Sequence, residues 1–237
     1  MKDTSTLTGN GIRTGAQYIS GLQDDREVWT QGKRIKDVTS EPGMSRGVSS
    51  LAGFLDKQHD KKYQDKITYV DEDGIRCPLS FKTPKSKQDI LDRGKAYYEW
   101  ATWSHGMFGR TPDYKNASLM SFSAARSFLD KGTVGKADFS QNMLNFYNHA
   151  RTNDQILTHT LINPSVSHKQ AAAGIYNATV ALHVVKETDA GIIVSGARLL
   201  ATLGPFADEI EVFPSTVLKA DPANIPFAFA FAIPIAT

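Results

Sequence analysis

Residues 105–114 read HGMFGRTPDY. Within them Arg110 and Tyr114 place a permanent cation and a phenol four residues apart, in a stretch shaped by two glycines and a proline. One reading is a helix-ending turn with a surface ion pair, because arginines are mostly exposed and such pairs contribute little. The other is a polar clamp for a ligand oxygen, a task suited to a guanidinium with its fixed charge and directional donors. His159 lies in LTHTLINP, where alternation puts it on the strand face opposite Thr158 and Thr160. A lone strand histidine is more often satisfied packing than chemistry. Thr202, Ser215 and Thr216 read equally as ligand contacts and as turn hydroxyls.

Other chemistries find little support. The sequence has no P-loop, no G-x-G-x-x-G after a strand, no H-E-x-x-H and no G-x-S-x-G. Its six histidines are scattered without ligand spacing, so no metal site is expected. Cys77 is the single cysteine, which excludes an internal disulfide and any cysteine-rich cluster within this sequence, and fits a reducing cytoplasm. With 27 basic and 25 acidic residues the net charge is +2, too balanced to argue for nucleic acid or an anionic membrane. The N-terminal MKDTSTLTGNG lacks the apolar core of a secretory signal, and the apolar run IPFAFAFAIPIA is too short to span a bilayer.

These side chains need elements to position them. REVWTQGKRIKDV and ITYVDEDGIRCPLSF read as hairpins, the second turning at Asp73-Gly74. TSEPGMSRGVSSLAGFLDKQH opens on cap-type residues and sets Val48, Leu51, Ala52 and Leu55 on one helical face. Ser86, with Asp89 three residues later, caps a helix whose Ile90, Leu91, Tyr97, Tyr98, Trp100, Ala101 and Trp103 form a heavy apolar face. NASLMSFSAARSFLDKG predicts a helix ending at Gly132, and Asp138 with Gln141 starts another. From about residue 155, QILTHTLINP, VALHVVKETDAGIIVSGARLLATL, EIEVFPS and PFAFAFAIPI are β-branched and aromatic, broken by Gly, Pro and Asp. The fold class is therefore α+β, with a helical domain over 1–152 carrying short hairpins and a β-rich domain over 153–237. The last apolar strand needs partners and a covered face, which points to truncation, with the rest in more chain or another subunit.

Four ordered motifs carry a resemblance. TGAQYISGLQDDREVWTQGKRIKDVTSEP, GMFGRTPDY, THTLINPSVSHKQ and GARLLATLGPFADEIEVFPST resemble, in the same order, the large-component family of the 4-hydroxyphenylacetate 3-monooxygenases, with AFAFAIPI similar to its next strand. The likeness runs from about residue 12 to the end. It implies an acyl-CoA-dehydrogenase-like architecture: a helical N-terminal domain, a β-rich middle domain and a C-terminal helical bundle, the last missing here. It implies the oxygenase component of a two-component flavin monooxygenase. Reduced FAD from a separate NAD(P)H:flavin reductase and O2 would supply an oxygen to the carbon ortho to a phenol hydroxyl, as in 4-hydroxyphenylacetate. A homo-oligomer, a tetramer in full-length members, is also implied.

By the same resemblance Arg110, Tyr114 and His159 surround the phenol oxygen and carry the catalysis. Ser215 and Thr216 contact the far end of the substrate. His159, Ser165, Val166, Ser167, His168 and Thr202 contact the flavin. His168 departs from the arginine common there; it has fewer donors and only partial charge at neutral pH. The sequence AYYEWATWSHG lacks the cysteines with which the related 4-hydroxybutyryl-CoA dehydratases hold an iron–sulfur cluster, which favours the oxygenase branch. A rival reading is an inactive fragment, or one half of a split enzyme that needs a second chain. The motifs do not identify the phenol.

Overall fold

The structure is a computed structural model and describes residues 10–107, 111–131, 138–164, 180–189, 191–214, 222–227 and 229–235. Arg110, Ser165, Val166, Ser167, His168, Ser215, Thr216 and the expected helix end at Gly132 lie outside them. The chain forms two compact units, one running to Ile156 and one over Leu157–Ile235. The first holds six α-helices and two hairpins among its described residues, the second three-stranded and two-stranded sheets, an α+β protein.

In the first unit α1 (Gly15–Gly21) opens on a capping box: the Thr14 hydroxyl accepts from Gln17 N–H, and the Gln17 side chain accepts from Thr14 N–H at 2.8 Å. The hairpin β1–β2 (Val28–Thr30, Lys33–Ile35) turns through Gln31 and Gly32, both at positive φ. Helix α2 (Ser45–Lys57) buries Val48, Leu51, Ala52, Phe54 and Leu55, the expected stripe with Phe54 added. Its N-cap is Met44, which has no side-chain oxygen to offer. The cap-type residues before it are used otherwise, Thr39 and Ser40 bonding the Asp37 carboxylate.

After the short α3 (Gln64–Ile67), β3 (Thr68–Val70) and β4 (Arg76–Pro78) make the second hairpin, with Gly74 at positive φ. Helix α4 (Lys87–Trp103) is capped by Ser86, whose hydroxyl accepts from Asp89 N–H. Its apolar residues do not share one face. Trp100 is 5% exposed and packs edge-on against Phe54 at 5.0 Å, whereas Tyr98 is 73% exposed and Ile90 60%. Positions 90, 97, 98 and 101 spread round the helix, so a rich composition conceals a narrow buried stripe.

Helix α5 (Pro112–Ala124) starts earlier than the sequence led us to expect, with Pro112 and Asp113 in its first turn. Proline is pre-organised for that position and gives up an N–H that would be orphaned anyway. A 3-10 turn, Arg126–Lys131, follows α5, and α6 (Phe139–Thr152) is capped by Asp138 on Gln141 N–H. Burial at the end of α6 is polar as well as apolar. Asp154 accepts from Gln58 Nε2 at 2.6 Å and from Arg13 N–H at 3.0 Å, tying the chain's first described residues to its helical core.

In the second unit β5 (Leu157–Thr160), β8 (Glu209–Val212) and β9 (Phe231–Pro234) form one sheet in the order β5-β8-β9, while β6 (His183–Thr188) and β7 (Gly191–Ser195) form a separate hairpin. β5 runs parallel to β8, pairing Leu157 with Glu209, His159 with Glu211 and Thr160 with Val212. β9 is antiparallel to β8, setting Glu209 beside Pro234 and Glu211 beside Ala232. GARLLATL, β-rich in composition, makes isolated bridges at Ala197 and Leu199 rather than a strand. Leu200 and Leu203 both hold positive φ, which breaks any ladder.

Candidate functional site

Gly106 N–H bonds Ala101 O at 2.8 Å to close helix α4, with His105 at φ 51 and Gly106 at φ 68. A left-handed glycine is an inexpensive way to stop a helix; a left-handed histidine beside it is strained by about 1 kcal/mol. Five residues after Gly106, Thr111 sits extended as N-cap and α5 begins. The stretch around Arg110 is thus bounded by one helix end and one helix start, both fixed by backbone geometry.

Tyr114 lies in the first turn of α5. The buried face of that helix carries Asp113, Asn116, Leu119, Met120 and Ser123, and Tyr114 stands off it, 46% exposed. The buried face is unusually polar for its position. Asn116 donates to Ser80 Oγ at 3.0 Å, and Asp113, 7% exposed, has its carboxyl pushed up by burial. Oδ1 of Asp113 and Oδ1 of Asn116 are buried acceptors without a hydrogen-bond donor among the described residues. Sequence reading missed this pair, although D-x-x-N on one helical face was visible in PDYKN.

In the second unit His159 is half-buried in β5, while Thr158 and Thr160, each 2% exposed, point the opposite way. The expected alternation holds. The Thr158 hydroxyl donates to Thr202 O and the Thr160 hydroxyl to Leu199 O. β5 thereby holds the 199–203 segment in place and leaves Thr202 exposed at a turn. Gly196 precedes that segment at φ 113, and a Cβ there would lie 2.4 Å from Ala181 O, so no other residue fits. His159 and the Thr202 carbonyl accordingly belong to opposite sides of β5.

Two features near His159 were not foreseen. Glu209 and Glu211, 9% and 4% exposed, share its face of the sheet. Burial first, then the charges of Asp208 and Glu211, push the Glu209 carboxyl up to about 7. Arg198 donates to Asn163 Oδ1 and stacks over Phe229 at 5.8 Å. The Nδ2 of Asn163 is a buried donor without a partner among the described residues. Arg198 is thereby brought to Asn163, two residues before Ser165 in sequence, and the two side chains together offer donors suited to an oxygen-rich anionic group. No cluster of three metal-ligating side chains occurs among the described residues, and no helix among them is long and apolar enough to cross a membrane. Tyr114 belongs to the first unit, His159 and Thr202 to the second.

The family model for the 4-hydroxyphenylacetate 3-hydroxylase N terminal region matches residues 14–237. The chain belongs to this family. It is 39% identical over 226 residues to the 4-hydroxyphenylacetate 3-monooxygenase oxygenase component of Thermus thermophilus, which is 95% of this chain and 45% of that protein. It superposes with a TM-score of 0.85 and 39% identity on a crystal structure of such an oxygenase component complexed with FAD and 4-hydroxyphenylacetate, covering 95% of this chain and 45% of that one. A TM-score of 0.78 at 17% identity relates it by fold alone to an archaeal 4-hydroxybutyryl-CoA dehydratase from N. maritimus. The chain spans a little under half the length of the relatives it matches.

Proposed function

We propose that this chain is the N-terminal part of the oxygenase component of a two-component flavin monooxygenase that ortho-hydroxylates a phenol such as 4-hydroxyphenylacetate. One observation carries the reading. The match at 39% identity to an oxygenase component complexed with FAD and 4-hydroxyphenylacetate extends over 95% of this chain, and the family model covers residues 14–237. The acyl-CoA-dehydrogenase-like architecture, a C-terminal helical bundle, a partner NAD(P)H:flavin reductase, a homotetramer and a cytoplasmic location belong to the same proposal.

Ring hydroxylation ortho to a phenol speeds up as the hydroxyl acquires phenolate character, so the protein's part is to stabilise negative charge on that oxygen. Arg110 supplies a fixed cation and Tyr114 an O–H donor. His159 offers a ring nitrogen to the hydroxyl proton. Charge-assisted hydrogen bonds of this kind contribute about 1.5–3 kcal/mol each. Ser215 and Thr216 hold the far end of the substrate. FAD, when bound in its reduced form, activates O2 and supplies the oxygen atom. The donors of Asn163 and Arg198 fit its phosphates or ring oxygens, beside the contacts assigned to His159, Ser165, Val166, Ser167, His168 and Thr202.

The test mixes photoreduced FAD, O2 and 4-hydroxyphenylacetate with the protein and measures the catechol. Catechol that disappears in Arg110→Ala supports the reading. Hydrogen peroxide alone from a full-length version, with every simple phenol, overturns it. If catechol appears only when a second, co-purifying polypeptide is present, the split-enzyme form of the reading is the correct one.

A further inference from the structure

The parallel register makes His159 and Glu211 lateral partners on one face of the β5–β8 ladder. Paired residues on adjacent strands are about 4.8 Å apart, a gap that a glutamate side chain spans. Glu211 is 4% exposed, and a buried carboxylate needs a donor to offset its lost hydration. In the ladder, the residues flanking this pair on the same face are Leu157 on β5, Glu209 on β8, and Ala232 and Pro234 on β9. None of these side chains brings a cationic or N–H donor, and His159 does.

We propose that Glu211 is the positioning residue for His159: its carboxylate accepts one ring N–H and fixes the tautomer, leaving the other ring nitrogen to receive the phenol proton. In that transfer the phenol O–H bond breaks, an imidazole N–H forms, and the products are a phenolate and an imidazolium facing the Glu211 carboxylate. The nucleophile–base–carboxylate relation of hydrolases uses the same logic. The step rests on the hydroxylase reading for its phenol; the His159–Glu211 pairing does not. Glu209, with its carboxyl held near 7, is the diagonal neighbour and serves as the comparison site.

The experiment needs neither flavin nor phenol. Long-range 1H–15N correlation spectra of the histidine-labelled protein report the tautomer of each ring, with His159→Gln assigning the signal. Wild-type His159 is expected to show a single tautomer. Glu211→Ala should give a mixture of both. Glu211→Gln, whose amide oxygen still accepts, should keep the tautomer but lower the His159 pKa by about one unit, since a carboxylate neighbour favours the imidazolium. Glu209→Gln should leave the tautomer unchanged. A mixed tautomer in the wild type, an unaltered one in Glu211→Ala, or equal effects from the two glutamates would overturn the proposal. The wild-type spectrum decides even if the alanine variant does not fold. Absence of catechol formation, with the single tautomer intact, would count against the hydroxylase reading alone.

Discussion

The Thr158 hydroxyl donates to the carbonyl of Thr202, joining a strand to a turn 44 residues further along the chain. Thr160 does the same for Leu199, and between them the two hydroxyls set where a left-handed, glycine-poor segment runs. Replacing Thr158 by valine keeps the shape and removes the donor, so a partly buried hydrogen bond to the Thr202 carbonyl is lost. The expected loss is about 1–3 kcal/mol in denaturant unfolding, with Thr158→Ser close to wild type. If Thr202 contacts the flavin, Thr158→Val also weakens FAD binding measured by fluorescence, and the serine variant restores it. Equal stability of all three proteins would show that the hydroxyl is not what holds the turn.

In the first unit Arg151 and Asp71 form an ion pair whose side chains are 11% and 8% exposed. Arg151 also lies 3.6 Å from Cys77 Sγ. Burial pushes the Cys77 thiol up to about 12. The thiolate is the reactive form, so Cys77 should resist a thiol reagent at pH 8 until the unit unfolds. Asp71→Asn leaves the guanidinium without its counter-charge and should cost about 3–5 kcal/mol. Cys77 modification should then quicken in step with unfolding followed by circular dichroism. Rapid labelling of the folded wild type would contradict the burial described here.

Much of the first unit was legible because its signals are local. Gly74 turns one hairpin, Asp89 and Gln141 answer their caps three residues before, and Val48, Leu51, Ala52 and Leu55 repeat at helical spacing. His159 was placed on the correct face by alternation within four residues. Its lateral partner was not legible: Glu211 is 52 positions away, and a parallel register is set by tertiary pairing that no short pattern encodes. A glutamate in EIEV reads as an outward strand residue, yet here alternation turns it inward. The aromatic richness of α4 misled in the other direction, since composition counts Tyr98 and Trp100 alike while the helix buries one and exposes the other.

Tyr114 offers a separation of chemistry from stability. It is 46% exposed and stands off the packed face of α5, so Tyr114→Phe should change unfolding by no more than about 0.5 kcal/mol. Under the proposed function it removes one hydrogen bond to the phenol oxygen, and the catechol-forming rate should fall about tenfold or more. A destabilised but fully active Tyr114→Phe would make this tyrosine a packing residue.

Glu209 makes the second unit sensitive to pH in a direction opposite to that of an ordinary surface acid. Its carboxyl is raised from 4.5 to about 7 in the folded protein, chiefly by burial. The folded state therefore binds a proton that the unfolded chain has already released in between. The stabilising contribution of the neutral acid is complete below about 4.5 and is lost as pH climbs through 7. Above that, an ionised carboxylate remains buried beside Asp208 and Glu211. Glu209→Gln keeps the size and removes the titration. Its stability relative to wild type should be near zero at pH 4.5 and should rise with pH, reaching at most about 3 kcal/mol by pH 8.5. The measurement is paired urea titrations of wild type and variant at several pH values. Asp71 acts in the opposite sense: its carboxyl is lowered by Arg151 and by backbone N–H bonds against an opposing desolvation. Its contribution is present above about 3.8 and fades as pH falls below that, so acid loss in the first unit and alkaline loss in the second occupy separate windows. A difference between Glu209→Gln and wild type that stays flat from pH 4.5 to 8.5 would mean that the folded protein hydrates this carboxylate after all.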